Sequence, residues 1–362
     1  MAGVLGVVTS TVRRGAEVFA RDLDRALVSR GYESALCALV PGTEAGGIDV
    51  PTLGQRRLGA ATLYRLRSEA RTRDLVLGHG SSTLPACVLA TAGLSTPLIY
   101  RSIGDPGYWA DSSARHWRTA FLLQRATIVV ALWPGAVEPL VDRFGVEERR
   151  IRVIPNAVDV DRFSPVSADE RARARWHLDL PEDASVATYV GALSPEKDVG
   201  AAIEAVAAVP EAVLVVAGEG LERPHLERLA GAHAPGRVRF LGARGDASRV
   251  ALAVADAVVL PSHTEGMPAA LIEAGLSEIP VVATRVGGVS EIVVDGETGL
   301  IVPPGDQDAL AHAVRAVLDH PERFRGNARS WCLQRFDMAD IAREWEGVLA
   351  EFSVQPAVSR VG

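Results

Sequence analysis

Short apolar runs recur along the chain, separated by stretches whose apolar residues return every three or four positions. The runs fall at residues 4–8, 34–40, 75–79, 97–100 and 127–132, then at 186–190, 213–217, 257–261 and 281–283. Runs this short, bounded by Gly, Pro, Ser and Asp, predict strands buried on both faces. Between them Val18, Phe19, Leu23, Ala26 and Leu27 keep helical spacing, and residues 199–209, 308–318 and 338–352 also read as helices. Strands alternating with helices predict parallel sheets of the α/β class. The segment 164–183, rich in Pro, Arg and Asp, interrupts the alternation and marks a domain boundary. Two domains are expected, 1–165 and 166–337, and 362 residues suffice for both.

The chain is organised around His263-Thr264-Glu265-Gly266-Met267-Pro268-Ala269-Ala270-Leu271-Ile272-Glu273-Ala274-Gly275. The apolar run before it ends as a buried strand. Pro268 suits the first turn of the following helix, where a missing N–H costs little. Glu265 is thus expected in the loop after a strand and Glu273 on the helix beyond it, both toward the carboxyl end of the sheet, where open α/β sheets bind ligands. Carboxylates accept hydrogen bonds from vicinal hydroxyls, so a sugar and a ribose are natural partners. A second loop, Gly191-Ala192-Leu193-Ser194-Pro195-Glu196-Lys197-Asp198, leads into the helix predicted over 199–209. Ser194 can cap that helix and Pro195 suits its first position. A helix N-terminus favours an anion, and Lys197 adds a full positive charge. It is the single lysine among 38 basic residues.

These stretches resemble the donor-sugar motifs of the retaining glycosyltransferases of family 4, which have the GT-B fold. The resemblance implies two Rossmann-like domains with parallel sheets facing a central cleft, the last helix, about 338–352, packing back onto the first domain. It implies that Glu265 contacts the transferred sugar, that Glu273 holds the ribose hydroxyls, and that Gly266, Met267 and Pro268 pass close to the sugar and diphosphate. Lys197 would bind the donor phosphates, so Lys197 and Glu265 are the expected catalytic pair. Thr9 to Glu17 would face the cleft, with Gly15 letting backbone amides approach a phosphate; a tight helix entry is the alternative for this glycine. The backbone just after the strand near 237–243 would read the base. On the acceptor side the candidates are His79, at a strand end where many relatives carry histidine, and Asp105. Pro155-Asn156-Ala157-Val158-Asp159 resembles the family's turn before the linker, with Ala157 in place of glycine. Two departures stand out. Ala192 occupies the position of a phosphate-binding arginine, and Ile103 is the nearest match to a histidine beside the donor sugar. They leave a non-catalytic nucleotide-sugar-binding subunit, or another GT-B enzyme such as a nucleotide-sugar epimerase, as alternatives.

The expected reaction is therefore transfer of a sugar from a nucleotide diphosphate donor, a UDP-sugar first and a GDP-sugar next, to an acceptor hydroxyl of a glycan, lipid or small molecule. No cofactor and no metal site are expected. Asp22-Leu23-Asp24 lies inside a helix and Asp159-Val160-Asp161 follows a turn, so neither sits beside a phosphate loop. The missing Gly-x-Gly-x-x-Gly fingerprint after the first strand disfavours an NAD dehydrogenase. Composition adds little to the class: 48% hydrophobic and 23% charged residues are those of a globular chain. Cys37, Cys87 and Cys332 form no metal-ligand spacing, which suits a reducing compartment. The start leads straight into a strand with no basic region, so no signal peptide is expected. Cytoplasmic location follows as the expectation, with no nucleic-acid partner. Charge is uneven, however. Residues 1–165 carry 20 arginines against 16 acids, and residues 166–362 carry 18 basic groups against 29 acids. Six of the arginines fall within Arg56 to Arg73, interleaved with Leu58, Leu63, Tyr64 and Leu66. Such a basic amphipathic stretch can lie on the inner face of an anionic membrane, or be a solvated charged face.

Overall fold

The structure, a computed structural model, describes residues 3–42, 47–108, 113–181, 183–242 and 246–356. The chain divides into two compact units, the first formed by Met1–Val158 and Phe336–Gly362, the second by Asp159–Arg335. The boundary expected at 165/166 falls inside the second unit, between a 3-10 turn, Val160–Arg162, and the helix Ala168–His177.

In the first unit six strands form one parallel sheet: β1 (Gly3–Ser10), β2 (Glu33–Val40), β3 (Leu75–His79), β4 (Leu98–Arg101), β5 (Ile128–Ala131) and β6 (Ile151–Val153). Their order is β2-β1-β3-β4-β5-β6. Beyond β2 the backbone of Thr52 bridges Ala38, with Ala38 N donating to Pro51 O and Leu53 N to Ala38 O, each at 2.9 Å. A further strand is thus reduced there to one bridge. The helices α1 (Gly15–Ser29), α2 (Ala60–Arg71), α3 (Leu84–Thr91) and α4 (Ser113–Leu123) connect the strands. Side chains alternate across a strand. Leu75 and Leu77 of β3, Ile99 of β4, and Ile128 and Val130 of β5 share one buried cluster with Phe19, Leu23 and Leu27 of α1. The closing helix Met338–Ala350 adds Ile341, Trp345, Val348 and Leu349 to it. Arg30 at the end of α1 grips Glu346 with both ends of its fork, at 2.8 and 2.7 Å. Where the chain leaves this unit and where it returns lie side by side: Val158 N donates to Phe336 O at 3.0 Å, and Met338 N to Val158 O at 3.1 Å.

The second unit repeats the scheme. Its strands are β7 (Ser185–Val190), β8 (Ala212–Ala217), β9 (Val238–Phe240), β10 (Ala257–Leu260), β11 (Val281–Thr284) and β12 (Gly299–Val302), all parallel. The order β12-β11-β10-β7-β8-β9 reverses between β7 and β10. That reversal opens a crevice at the carboxyl ends of the two strands, where doubly wound sheets hold ligands. In the first unit the corresponding reversal lies between β1 and β3. Among the described residues no helix is long and apolar enough to cross a membrane.

Candidate active site

At the reversal of the second sheet, the loops after β7 and β10 meet. His263 N donates to Glu196 O at 2.8 Å, stitching one loop to the other. This contact brings together the two residues singled out from sequence. Lys197 Nζ donates to Glu265 Oε2 at 2.7 Å, and Ser262 Oγ donates to Glu265 Oε1 at 2.7 Å. Glu265 is only 7% exposed, while the Lys197 side chain keeps 22% of its surface. Both oxygens of a nearly buried carboxylate are therefore satisfied, one by a charge and one by a hydroxyl.

The local backbone differs from the expectation in three respects. Pro195–Lys197 is a separate 3-10 turn, and Asp198 adopts a left-handed conformation (φ 45°) before the helix Val199–Ala207 begins. Lys197 thus sits one turn ahead of the helix rather than in its first turn. Ser194 does not cap through its side chain, because its hydroxyl donates to Glu196 Oε1 at 2.6 Å. Asp198 Oδ2 lies 3.3 Å from Nε2 of His263, a second link between the loops. Likewise Pro268 is the N-cap of the helix Ala269–Leu276 and not its first residue. Glu273 is half-buried on that helix and Met267 is 5% exposed.

Glycines hold these loops at close range. A Cβ on Gly287 (φ +51°) would lie 2.1 Å from Glu265 O, and Gly288 N donates to Gly266 O at 2.6 Å. The Gly287-Gly288 pair therefore fixes the Glu265-Gly266 backbone. Gly218 and Gly220 do the same for the loop after β7, since a Cβ on them would meet Gly191 O and Leu193 O at 1.8 and 2.1 Å. Tyr189 lies beneath that loop and donates to Ala192 O at 2.8 Å. Burial, then Glu265 and Glu196, push its phenol well above the ordinary range, so it stays a donor. Sequence reasoning missed Tyr189 and Ser262. Ser262 directly precedes the recognised stretch and could have been found there; Tyr189 reads as one more apolar strand residue.

In the first unit, Gly15 opens α1 after Arg14, and a Cβ there would meet nothing within 4 Å. Glu17 in the first turn is nearly buried, and that burial pushes its carboxyl up to about 7. His79 ends β3 and is 3% exposed, its ring 6.3 Å from that of Phe19. Burial and the neighbouring Arg101 charge hold its pKa well below the usual value, so the ring is neutral. Arg101 is fully buried over the Phe19 ring at 3.6 Å and donates to Asn156 Oδ1 at 3.0 Å. Asn156 Oδ1 also accepts from Ala157 N at 3.1 Å, so Arg101 anchors the turn through which the chain leaves this unit. Asp105 is half-buried and accepts from Gly107 N at 2.7 Å; burial raises its pKa. Ile103 packs where a Cβ on Gly80 would otherwise sit, at 2.7 Å. His79 and Asp105 are not joined by a hydrogen bond, and both lie in the unit that does not contain Lys197 and Glu265. Residues 243–245, expected to read the base, fall outside the described residues.

Two parallel sheets reversing order in this way, one with a lysine–glutamate pair at the reversal, define a chain of two Rossmann-like units. Comparison with known proteins gives the family. The family described as "Glycosyl transferases group 1" matches residues 170–331, and "Glycosyltransferase Family 4" matches residues 13–162. The lipopolysaccharide core biosynthesis glycosyltransferase LpsE of Rhizobium meliloti is 36% identical over 323 residues, covering 84% of this chain and 85% of that protein. The D-inositol 3-phosphate glycosyltransferase of Geodermatophilus obscurus is 34% identical over 75% of this chain, which spans 66% of that enzyme. The chain spans 46% of a second such enzyme, from Catenulispora acidiphila. Among solved structures, Anabaena HepE in complex with UDP-glucose superposes with a TM-score of 0.86 at 22% identity, over 97% of this chain and all of that one. The chain belongs to the group 1 glycosyltransferase family and has the GT-B fold.

Proposed function

We propose that this protein is a retaining glycosyltransferase that moves a sugar from a nucleotide diphosphate donor, a UDP-sugar first, to an acceptor hydroxyl. The Lys197–Glu265 contact at the strand-order reversal carries the reading. The UDP-glucose held by HepE and the transfer activities named for the bacterial relatives support it. On donor binding, Lys197 exchanges Glu265 for the diphosphate, and Glu265 turns to the sugar hydroxyls. The bond from the anomeric carbon to the phosphate oxygen breaks, its electron pair leaving with the diphosphate. The acceptor oxygen attacks from the same face and passes its proton to the leaving diphosphate. Lys197, together with the amides that open the helix Val199–Ala207, stabilises the charge that develops there, a preorganised electrostatic contribution worth about 10²–10³ in rate per contact. Glu265 stabilises positive charge at the ring, Glu273 binds the ribose, and Gly15, Gly266, Met267 and Pro268 line the donor. His79 and Asp105 stand on the acceptor side. The reaction runs without a further cofactor, protein cations meeting the diphosphate charge.

We place the enzyme in the cytoplasm, where exposed Arg56, Arg57 and Arg71 can touch an anionic membrane. Other arginines of that stretch have internal work: Arg65 donates to Leu53 O at 2.9 Å and Arg67 to Ala90 O and Ala92 O at 2.8 Å. A panel of nucleoside diphosphates read by thermal shift tests the donor site. A ligand at a hundredfold its Kd stabilises by about 2.7 kcal/mol. One diphosphate should shift the wild type and not Lys197→Ala; if none shifts either, the donor site is not where we place it.

A further inference from the structure

We propose that His263, oriented by Asp198, is the second cation of the donor site and donates a hydrogen bond to the diphosphate. The proposal rests on the transferase reading and adds a residue to its donor side. The two loops at the reversal of the second sheet, 191–198 and 261–268, carry three carboxylates, Glu196, Asp198 and Glu265, against one lysine. Lys197 is already matched by Glu265 at 2.7 Å. A diphosphate brings further negative charge, and like charges at such range repel. A second positive charge is needed to offset it, and His263 is the one further side chain of these loops that can carry one.

The backbone puts the ring beside the lysine. His263 N donates to Glu196 O at 2.8 Å, and Nε2 of the ring lies 3.3 Å from Asp198 Oδ2. One histidine thus grips the residues on either side of Lys197. Asp198 is also the N-cap of the helix Val199–Ala207, so the ring stands at the positive end of that helix, where an anion is favoured. An aspartate at an N-cap ordinarily turns its carboxylate onto the first amides. Asp198 does not. Its backbone is left-handed (φ 45°, ψ 47°), its side chain caps no amide, and its carboxylate meets His263 instead. That arrangement leaves the first amides of the helix to a ligand and fixes the ring through Nε2. Nδ1 has no hydrogen-bond partner among the described residues, and the side chain keeps 44% of its surface, so a phosphate oxygen can reach it. The charged groups that the two loops bring around the ring are Asp198, Glu196, Lys197 and Glu265. Ser194 Oγ donates to Glu196 at 2.6 Å, and Lys197 and Glu265 hold each other, which leaves Asp198 as the ring's own partner. A pair this open to solvent contributes little to folding, so replacing either member leaves the unit folded.

Calorimetric titration of the full chain with UDP-glucose and GDP-glucose, at pH 6 and at pH 8.5, tests this. Both probes keep a doubly charged diphosphate across that interval, whereas a histidine changes charge within it. The nucleotide sugar that binds wild type better should gain about fivefold or more in affinity from pH 8.5 to pH 6. In His263→Gln the gain should fall below about twofold, with most of the loss at pH 6. Asp198→Gly suits the left-handed backbone and should flatten the same profile. A profile as steep as wild type in Asp198→Gly would overturn the orienting role of the aspartate. A loss in His263→Gln that is equal at both pH values would mark a structural role and overturn the proposal, as would a variant that keeps the wild-type profile. Wild type that binds neither nucleotide sugar at either pH would sink the transferase reading itself. Tight binding that ignores His263 would leave that reading standing and remove only this residue from the site.

Discussion

Replacing Lys197 by alanine should damage both stability and activity, and the two effects should come apart in a second variant. Glu265 is 7% exposed, with Lys197 Nζ 2.7 Å from one oxygen and Ser262 Oγ 2.7 Å from the other. Removing one partner of a buried ion pair costs about 3–5 kcal/mol, because the other charge is left uncompensated. Here the lysine keeps 22% of its surface in solvent and Ser262 stays on the carboxylate, so the cost falls below that range, to about 2–3 kcal/mol. Urea titration followed by circular dichroism measures it. Adding Glu265→Gln removes the stranded charge, and the double variant should recover to within about 1 kcal/mol of wild type, since eliminating both charges is near neutral. Sugar transfer should remain lost in both. A double variant as unstable as Lys197→Ala would refute the argument that the pair, and not the lysine's other contacts, carries the stability. A double variant that transfers sugar would refute the catalytic roles.

Other consequences are open to measurement. Burial pushes Glu17 up to about 7 from 4.5, so the folded state holds a proton that the unfolded state releases. Stability then falls as pH rises from 4.5 to 7, and above that window the carboxylate penalty is complete, about 3 kcal/mol at 1.36 kcal/mol per pKa unit. Glu17→Gln should accordingly exceed wild type in urea midpoint at pH 8 and match it at pH 4; equal midpoints at both would show that the carboxyl is not desolvated. Gly287→Ala places a Cβ 2.1 Å from Glu265 O at φ +51° and should cost more than about 2 kcal/mol and lower nucleotide affinity. Gly296→Ala, at φ +83° with open space around it, should cost about 1 kcal/mol and leave calorimetric nucleotide affinity alone. Trp345→Ala empties a fully buried site against α1 and should destabilise the first unit by about 3–5 kcal/mol in the same titration.

The alternation of apolar runs and helical spacing made the two parallel sheets legible, because strands such as Ala212–Ala217 are buried along their whole length and therefore read as unbroken apolar sequence. Lys197 and Glu265 were legible for a different reason: each lies in a contiguous loop whose neighbours carry the pattern. Their 2.7 Å contact was not, since it depends on β7 and β10 being adjacent, and strand order is not written locally. The arginine-rich stretch misled in part. Its spacing resembled one amphipathic surface, but Arg65 and Arg67 cap internal carbonyls, a use that composition cannot separate from solvent exposure. The 3-10 turn at Pro195–Lys197 was hidden because Asp198 takes a left-handed conformation uncommon for a residue with a Cβ.

The pair at the reversal also implies a competition. In the proposed reaction the charge of Lys197 is already matched by Glu265, so a diphosphate gains the full attraction of the lysine only when the donor draws the carboxylate away. A sugar nucleotide offers Glu265 hydroxyls in return; a nucleoside diphosphate alone offers none and leaves a buried carboxylate with only Ser262. Glu265→Gln removes the competitor, and Lys197 is then available without exchange. UDP should bind this variant more tightly than wild type by about fivefold, the equivalent of about 1 kcal/mol, while the UDP-sugar gains less and transfer is lost. Calorimetry with UDP and UDP-glucose on both proteins reads the difference. Weaker UDP binding to Glu265→Gln would mean that Glu265 orients Lys197 for the phosphates and does not compete with them, and the exchange of partners would have to be abandoned.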